Sequence, residues 1–186
     1  MSPAESIQGA SDVELVKLFK SGDASAYDAI VQRFQDRIFR LACVWLYDDQ
    51  SAADVTQEVF VRGFKGLRSF RFRSTPFTWL YRTTKNVCNE FNRVRKTEPL
   101  DDEPQDPASA PERDVSEFES ARQVRKMVAG LPERQREVVV LRIFEDMSVK
   151  ETAQSMGCRE GTVKALLHKA TEKLKLKMQH AGISNE

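Results

Sequence analysis

The sequence predicts an all-α protein made of two small helical domains joined by a flexible acidic, proline-rich linker. Three observations predict it. Apolar residues recur at spacings of three and four along most of the chain, which is the period of a helix with one buried face. No segment keeps up the alternation of a half-buried strand. Residues 97–113, Thr-Glu-Pro-Leu-Asp-Asp-Glu-Pro-Gln-Asp-Pro-Ala-Ser-Ala-Pro-Glu-Arg, hold four of the seven prolines. Proline removes helix donors and acids repel one another, so this stretch reads as an extended tether. Fully drawn out it spans on the order of 50 Å. The expected division is 10–96, a linker at 97–120, and 121–182. The chain of 186 residues is 40% hydrophobic and 31% charged, which is the composition of an ordinary globular protein.

The first domain reads as four helices. Ser11 and Asp12 can cap a helix carrying Val13, Leu15, Val16, Leu18 and Phe19, and Ser21-Gly22-Asp23 breaks it. Tyr27, Ile30, Phe34, Ile38, Leu41 and Trp45 form the apolar stripe of a long second helix. A third starts near Ser51 and carries Val55, Val59, Phe60, Phe64 and Leu67. A loop from about Arg68 to Pro76 leads to a fourth, running through Trp79, Leu80 and Val87 to Phe91. Among the aromatics, Trp79 and Phe64 are the expected core members, and Phe70, Phe72 and Phe77 are expected to be less constrained.

The second domain also reads as four helices. Val124, Met127 and Val128 lie on the first, which stops at Gly130-Leu131. Pro132-Glu133 opens the second, where a missing amide donor costs nothing. Ser148-Val149-Lys150-Glu151 has the form of a capping box and starts the third. Gly157 ends it. The fourth carries Val163, Leu167, Ala170, Leu174 and Met178 on one face.

Charge is segregated although the net is only +1. Residues 60–96 carry ten basic side chains and one acidic, and residues 97–120 carry nine acidic and one basic. Two basic blocks split by an acidic one suggest two polyanion-binding surfaces and a tether. Solvated helix faces are the competing reading of any single block. No run of about 18 apolar residues offers a membrane span, and the N-terminus lacks the basic and apolar regions of a signal peptide. Three well-separated cysteines, Cys43, Cys88 and Cys158, argue against a disulfide framework or a zinc site and fit a reducing cytoplasm. No phosphate-binding loop, dinucleotide fingerprint, nucleophile elbow or zinc-protease motif is present. No catalytic residue, metal, cofactor, small-molecule substrate or membrane contact is expected.

Three constellations stand out. Ser148 to Ala170 has the pattern of a helix-turn-helix, with the turn at Met156-Gly157-Cys158. Val163 and Leu167 would face the core, leaving Lys164, Ala165, His168 and Lys169 outward, as a helix entering the DNA major groove requires. An ordinary bundle corner gives the same pattern. From Phe60 to Lys96, aromatics interleave with bases, which suits stacking on single-stranded nucleic acid. There Arg82, Lys85, Asn86, Asn89 and Arg93 repeat at helical spacing, as phosphate and base-edge contacts would need. A solvated basic helix fits equally. Asp54, Glu58 and Arg62 recur every four residues with Gln57 beside them. They fit an internal ion pair or a protein-docking surface.

Taken in order, these motifs resemble a known family. Ala53-Asp54-Val55-Thr56-Gln57-Glu58-Val59-Phe60, then Phe70, then Thr78-Trp79-Leu80-Tyr81-Arg82 and Asn86, look like region 2 of the extracytoplasmic-function (group IV) RNA polymerase sigma factors of the sigma-70 type. Leu131-Pro132-Glu133-Arg134-Gln135-Arg136-Glu137-Val138 and Gly161-Thr162-Val163-Lys164 resemble region 4. The resemblance covers roughly residues 12–178. It implies an alternative sigma factor that binds core RNA polymerase and promoter DNA and is held inactive by an anti-sigma factor. It implies that Asp54, Gln57, Glu58 and Arg62 dock on the polymerase. It assigns Phe70, Arg71, Phe72, Arg73, Ser74 and Thr75 to a loop that captures an unstacked minus-ten base, with Arg82, Lys85, Asn86, Asn89 and Arg93 along that element. It assigns Arg159, Glu160, Thr162, Lys164, Ala165, His168 and Lys169 to the minus-thirty-five element. Ala165 and Leu166 replace the family's usual Ser-Arg after Lys164, and Phe72-Arg73 replaces a frequent Gly-Glu. Two other readings remain on residues alone: a stand-alone helix-turn-helix regulator and a helical adaptor that binds only proteins.

Overall fold

In the computed structural model, which describes residues 7, 9–46, 49–97 and 123–180, the chain divides near residue 107 into two units. All regular structure among the described residues is helical. The acidic proline-rich stretch of the linker lies outside those residues, as does the side chain of His180.

The first unit holds α1 (Asp12–Lys20), α2 (Ala24–Leu46), α3 (Asp49–Arg68) and α4 (Pro76–Thr97). Ser11 starts α1 with a complete capping box: its hydroxyl accepts from the Glu14 amide while the Glu14 carboxylate accepts from the Ser11 amide. Two orphan donors of the first turn are thereby satisfied. Helix α2 is the central element, packed against α1, α3 and α4. Its stripe of Ile30, Phe34, Ile38, Leu41 and Trp45 is buried, as the spacing predicts. Val55, Val59 and Leu67 from α3 and Leu80, Tyr81, Val87 and Cys88 from α4 close the core.

Small residues of α3 let it sit close to both α2 and α4. The Tyr27 hydroxyl donates to the Phe60 carbonyl and lies 2.9 Å from where a Cβ on Gly63 would be. At Gly66 that Cβ would stand 2.4 Å from Trp79 Cζ2. Both glycines are filled against, and neither is merely tolerated.

The second unit holds α5 (123–129), α6 (Glu133–Val139) running into a π-helical turn at Val140–Phe144, α7 (Val149–Met156) and α8 (Glu160–His180). The sequence did not announce the π turn. The Glu145 amide bonds the Val140 carbonyl at 3.0 Å and the Met147 amide bonds that of Leu141 at 2.9 Å. These widen the last turn of α6 and leave Ile143 and Phe144 about half exposed. Val128, Leu131, Val138, Leu141, Ala153, Met156, Val163 and Ala170 form the core.

Candidate nucleic-acid interface

The helix-turn-helix is fixed at both ends of α7 by local chemistry. Ser148 accepts from the Glu151 amide at 3.2 Å, and Glu151 accepts from the Ser148 amide at 2.9 Å. These bonds hold the Glu151 carboxyl below its ordinary range. Gly157 then takes a left-handed conformation, φ 60°. The Cys158 amide reaches back to the Ala153 carbonyl at 3.0 Å and the Gly157 amide to that of Gln154 at 3.4 Å. This is the paired closure of a Schellman motif, which glycine enters without a Cβ penalty. Arg134 ties α6 to the same turn through the Met156 carbonyl at 3.1 Å and the buried Glu137 at 3.3 Å.

The turn sends α8 off at a set angle with Val163 and Ala170 fully buried. Arg159, Glu160, Thr162, Lys164, Ala165, His168 and Lys169 are all exposed. His168 Nε2 sits 3.7 Å from Glu172. Cys158 is partly buried beside the turn.

In the first unit, Arg82, Asn86, Asn89 and Arg93 are exposed along α4, while Lys85 is partly buried with its ammonium 5.7 Å from the Trp45 ring centroid. The loop preceding α4 behaves differently from expectation. Phe70 and Phe77 are each only 5% exposed, whereas Phe64 is 39% exposed and Trp79 is partly buried. Phe70 and Phe77 thus belong to the core and Phe64 to its rim, against expectation, whereas Phe72 is exposed as expected. Phe70 lies edge-on to Trp79, 6.4 Å away. Phe77 stacks on Phe34 at 5.9 Å and lies under the Arg37 guanidinium at 3.7 Å. Phe64 sits at the rim of a cluster with Phe19 and Tyr27, beneath Arg68.

Within that loop Arg71, Phe72 and Arg73 are exposed and Ser74 is partly buried. The Thr75 hydroxyl accepts from the Thr78 amide at 3.1 Å, so it caps α4 ahead of Pro76. Phe72 has φ 54°, a left-handed backbone that a bulky residue rarely adopts.

On α3, Asp54 and Gln57 are exposed. Glu58 and Arg62 form the internal pair at 2.7 Å. Sequence reasoning missed its third member. Arg62 also grips Glu90 of α4 through two guanidinium nitrogens, at 3.1 and 2.8 Å. Arg62 holds the Glu90 carboxyl below its ordinary range, and the two carboxylates push the guanidinium further up. No local signal connects residues 62 and 90; only the crossing of two helices brings them together. Among the described residues, no three His, Cys, Asp or Glu side chains converge as a metal site would require, and no helix is long and apolar enough to cross a membrane.

Comparison with known proteins agrees with both halves of this arrangement. The family model for sigma-70 region 2 matches residues 30–98, and that for sigma-70 region 4 matches residues 121–174. The chain is 31% identical over 181 residues to the RNA polymerase sigma-H factor of Pseudomonas aeruginosa, covering 90% of this chain and 94% of that one. It is 30% identical over 182 residues to the ECF RNA polymerase sigma-E factor of Haemophilus influenzae, covering 91% and 96%. Among solved structures it is similar to CnrH in complex with the cytosolic domain of CnrY, with a TM-score of 0.72, 23% identity and coverage of 91% and 97%.

Proposed function

The chain belongs to the extracytoplasmic-function sigma factors of the sigma-70 family, and from that premise we propose that it is a group IV alternative sigma factor, acting in the cytoplasm. It binds core RNA polymerase and directs initiation at its own promoters, without catalytic chemistry of its own. Residues 10–96 dock on the polymerase and engage the minus-ten element. Residues 97–120 form the tether. Residues 121–182 read the minus-thirty-five element. An anti-sigma factor is the expected regulator, since the similar sigma factor RpoE from Bartonella quintana is solved in complex with the anti-sigma factor NepR.

The observation that carries this reading is α8. Val163 and Ala170 are at 0% exposure, and Lys164, Ala165, His168 and Lys169 stand exposed on the same helix. That arrangement suits a helix laid in the major groove, with Lys164 and Lys169 near phosphates or guanine edges. In the first unit, Arg82, Lys85, Asn86, Asn89 and Arg93 follow the minus-ten strand, and Arg71, Phe72, Arg73 and Ser74 frame a captured base. Phe70 and Thr75 support that frame from within, one as core and one as helix cap. Captured unstacked bases draw the duplex equilibrium towards open. Asp54, Gln57 and Glu58 face the polymerase, and Arg62 acts by fixing Glu58.

Run-off transcription with core polymerase and a fragmented genome of the source organism tests the proposal. New discrete transcripts are expected, lost with Asp54→Lys. Lys164→Ala is expected to weaken minus-thirty-five binding, and Asn86→Ala to impair minus-ten function. Unchanged transcription from the cognate promoter in all three variants would refute it.

A further inference from the structure

The minus-ten loop is anchored by a residue that no local pattern connects to it. Lys20 closes α1, fifty positions before the loop, yet its Nζ donates to the Phe70 carbonyl at 2.6 Å. The same ammonium lies 5.2 Å from the centroid of the Phe72 ring. Phe72 is edge-on to Phe70 at 5.0 Å and holds its left-handed backbone. One cation therefore meets the carbonyl before Arg71 and the exposed ring after it. A left-handed bulky residue persists only where its surroundings over-determine it. A charge-assisted hydrogen bond and a cation–π contact on adjacent parts of the loop supply that determination.

We propose that Lys20 is a positioning residue for minus-ten recognition: it sets the backbone from Phe70 to Phe72, and so the face of the Phe72 ring that an unstacked base meets. This rests on the sigma reading above and adds α1 to the apparatus that chooses the base. Lys20 is itself exposed, so its loss loosens the loop without removing the packing of Phe70 on Trp79. The expected signature is a change in discrimination between bases, with stability largely kept.

The test compares Lys20→Met, which keeps most of the aliphatic stem, with Lys20→Arg, which restores the cation, and Lys17→Met as a control on the same helix. Hydrogen exchange of residues 70–73 in the full chain reads the loop directly and needs no promoter. Faster exchange is expected in Lys20→Met only. Holoenzyme carrying each variant is then run on the cognate promoter with each of the four bases at the captured position. Lys20→Met should narrow the ratio between best and worst base by about tenfold, the scale of one charge-assisted bond. Lys20→Arg should recover most of it. Unchanged exchange overturns the proposal. So does an equal fall of transcription on all four templates, because a merely structural lysine would do that. If wild-type holoenzyme makes no transcript at all, the sigma reading itself fails and the recognition role falls with it, whatever the exchange shows of the loop.

Discussion

Replacing Gly66 by alanine sets two opposing effects against each other, and the structure decides the sign. Gly66 lies in α3, where alanine is intrinsically better than glycine by about 1 kcal/mol. A new Cβ, however, would stand 2.4 Å from Trp79 Cζ2 and 2.5 Å from Cη2. Both atoms belong to a rigid ring, so no flexible end can swing aside. Forcing a methyl into such a contact costs about 1–3 kcal/mol. Gly66→Ala should therefore destabilise the first unit by about 1 kcal/mol net, taking the central values of both effects. The two tryptophans of the chain, Trp45 and Trp79, both lie in that unit, so fluorescence during urea unfolding reports on it alone. The midpoint should fall by about 0.5 M urea, given the slopes usual for small domains. Gly161→Ala is the counterpart: nothing lies within 4 Å of its Cβ position, and circular dichroism should find no loss of stability. A Gly66→Ala variant as stable as the wild type would refute the argument, since it would mean that the Trp79 ring yields freely.

Two further predictions concern hydrogen bonds and pH. Ser148→Ala removes the cap of α7 and should cost about 1 kcal/mol near neutral pH, read by thermal unfolding. The Glu151 carboxyl is held below its ordinary 4.5 by the same motif, so its contribution is present above that value and fades as pH falls through the lower folded one. The gap between wild type and variant should narrow in acid. Tyr27→Phe removes the donor to the Phe60 carbonyl and should cost about 1 kcal/mol. Burial pushes the Tyr27 phenol up to about 12. Above pH 10 the unfolded chain ionises first, so the wild type should lose stability between 10 and 12 more steeply than the Phe variant, as a melting series against pH would record.

Much of the fold was legible because its signals are local. Ser11, Ser148 and Gly157 act within four residues of themselves, and each does what its spacing announces. The stripe of α2 follows from helical period alone, and of the expected stripe of α8 Val163 and Ala170 are buried while Leu167, Leu174 and Met178 are partly so. The failures share a cause of the opposite kind. Phe70 and Phe77 sit at the ends of helices, where periodicity stops, and are buried by residues from distant helices. Phe64 has the right spacing for the core but falls at the edge of its cluster. The Arg62–Glu90 and Lys20–Phe70 contacts span 28 and 50 positions, and nothing in the intervening sequence encodes them locally.

The same distinction separates what the fold sets in the two candidate surfaces from what is particular to this chain. Burying Val163 and Ala170 fixes which side chains of α8 face outward, whatever those side chains are. The fold therefore sets the reading frame but leaves the letters free. Ala165 occupies an outward position with a methyl group alone, able to meet a thymine methyl and unable to offer a donor or a charge. In the first unit the loop is less autonomous. Its frame is set by Trp79, by the Thr75 cap and by Lys20, each from a different side. The loop's conformation depends on contacts that span up to 50 positions, which is why it was harder to read from sequence than α8, whose outward face follows from helical period.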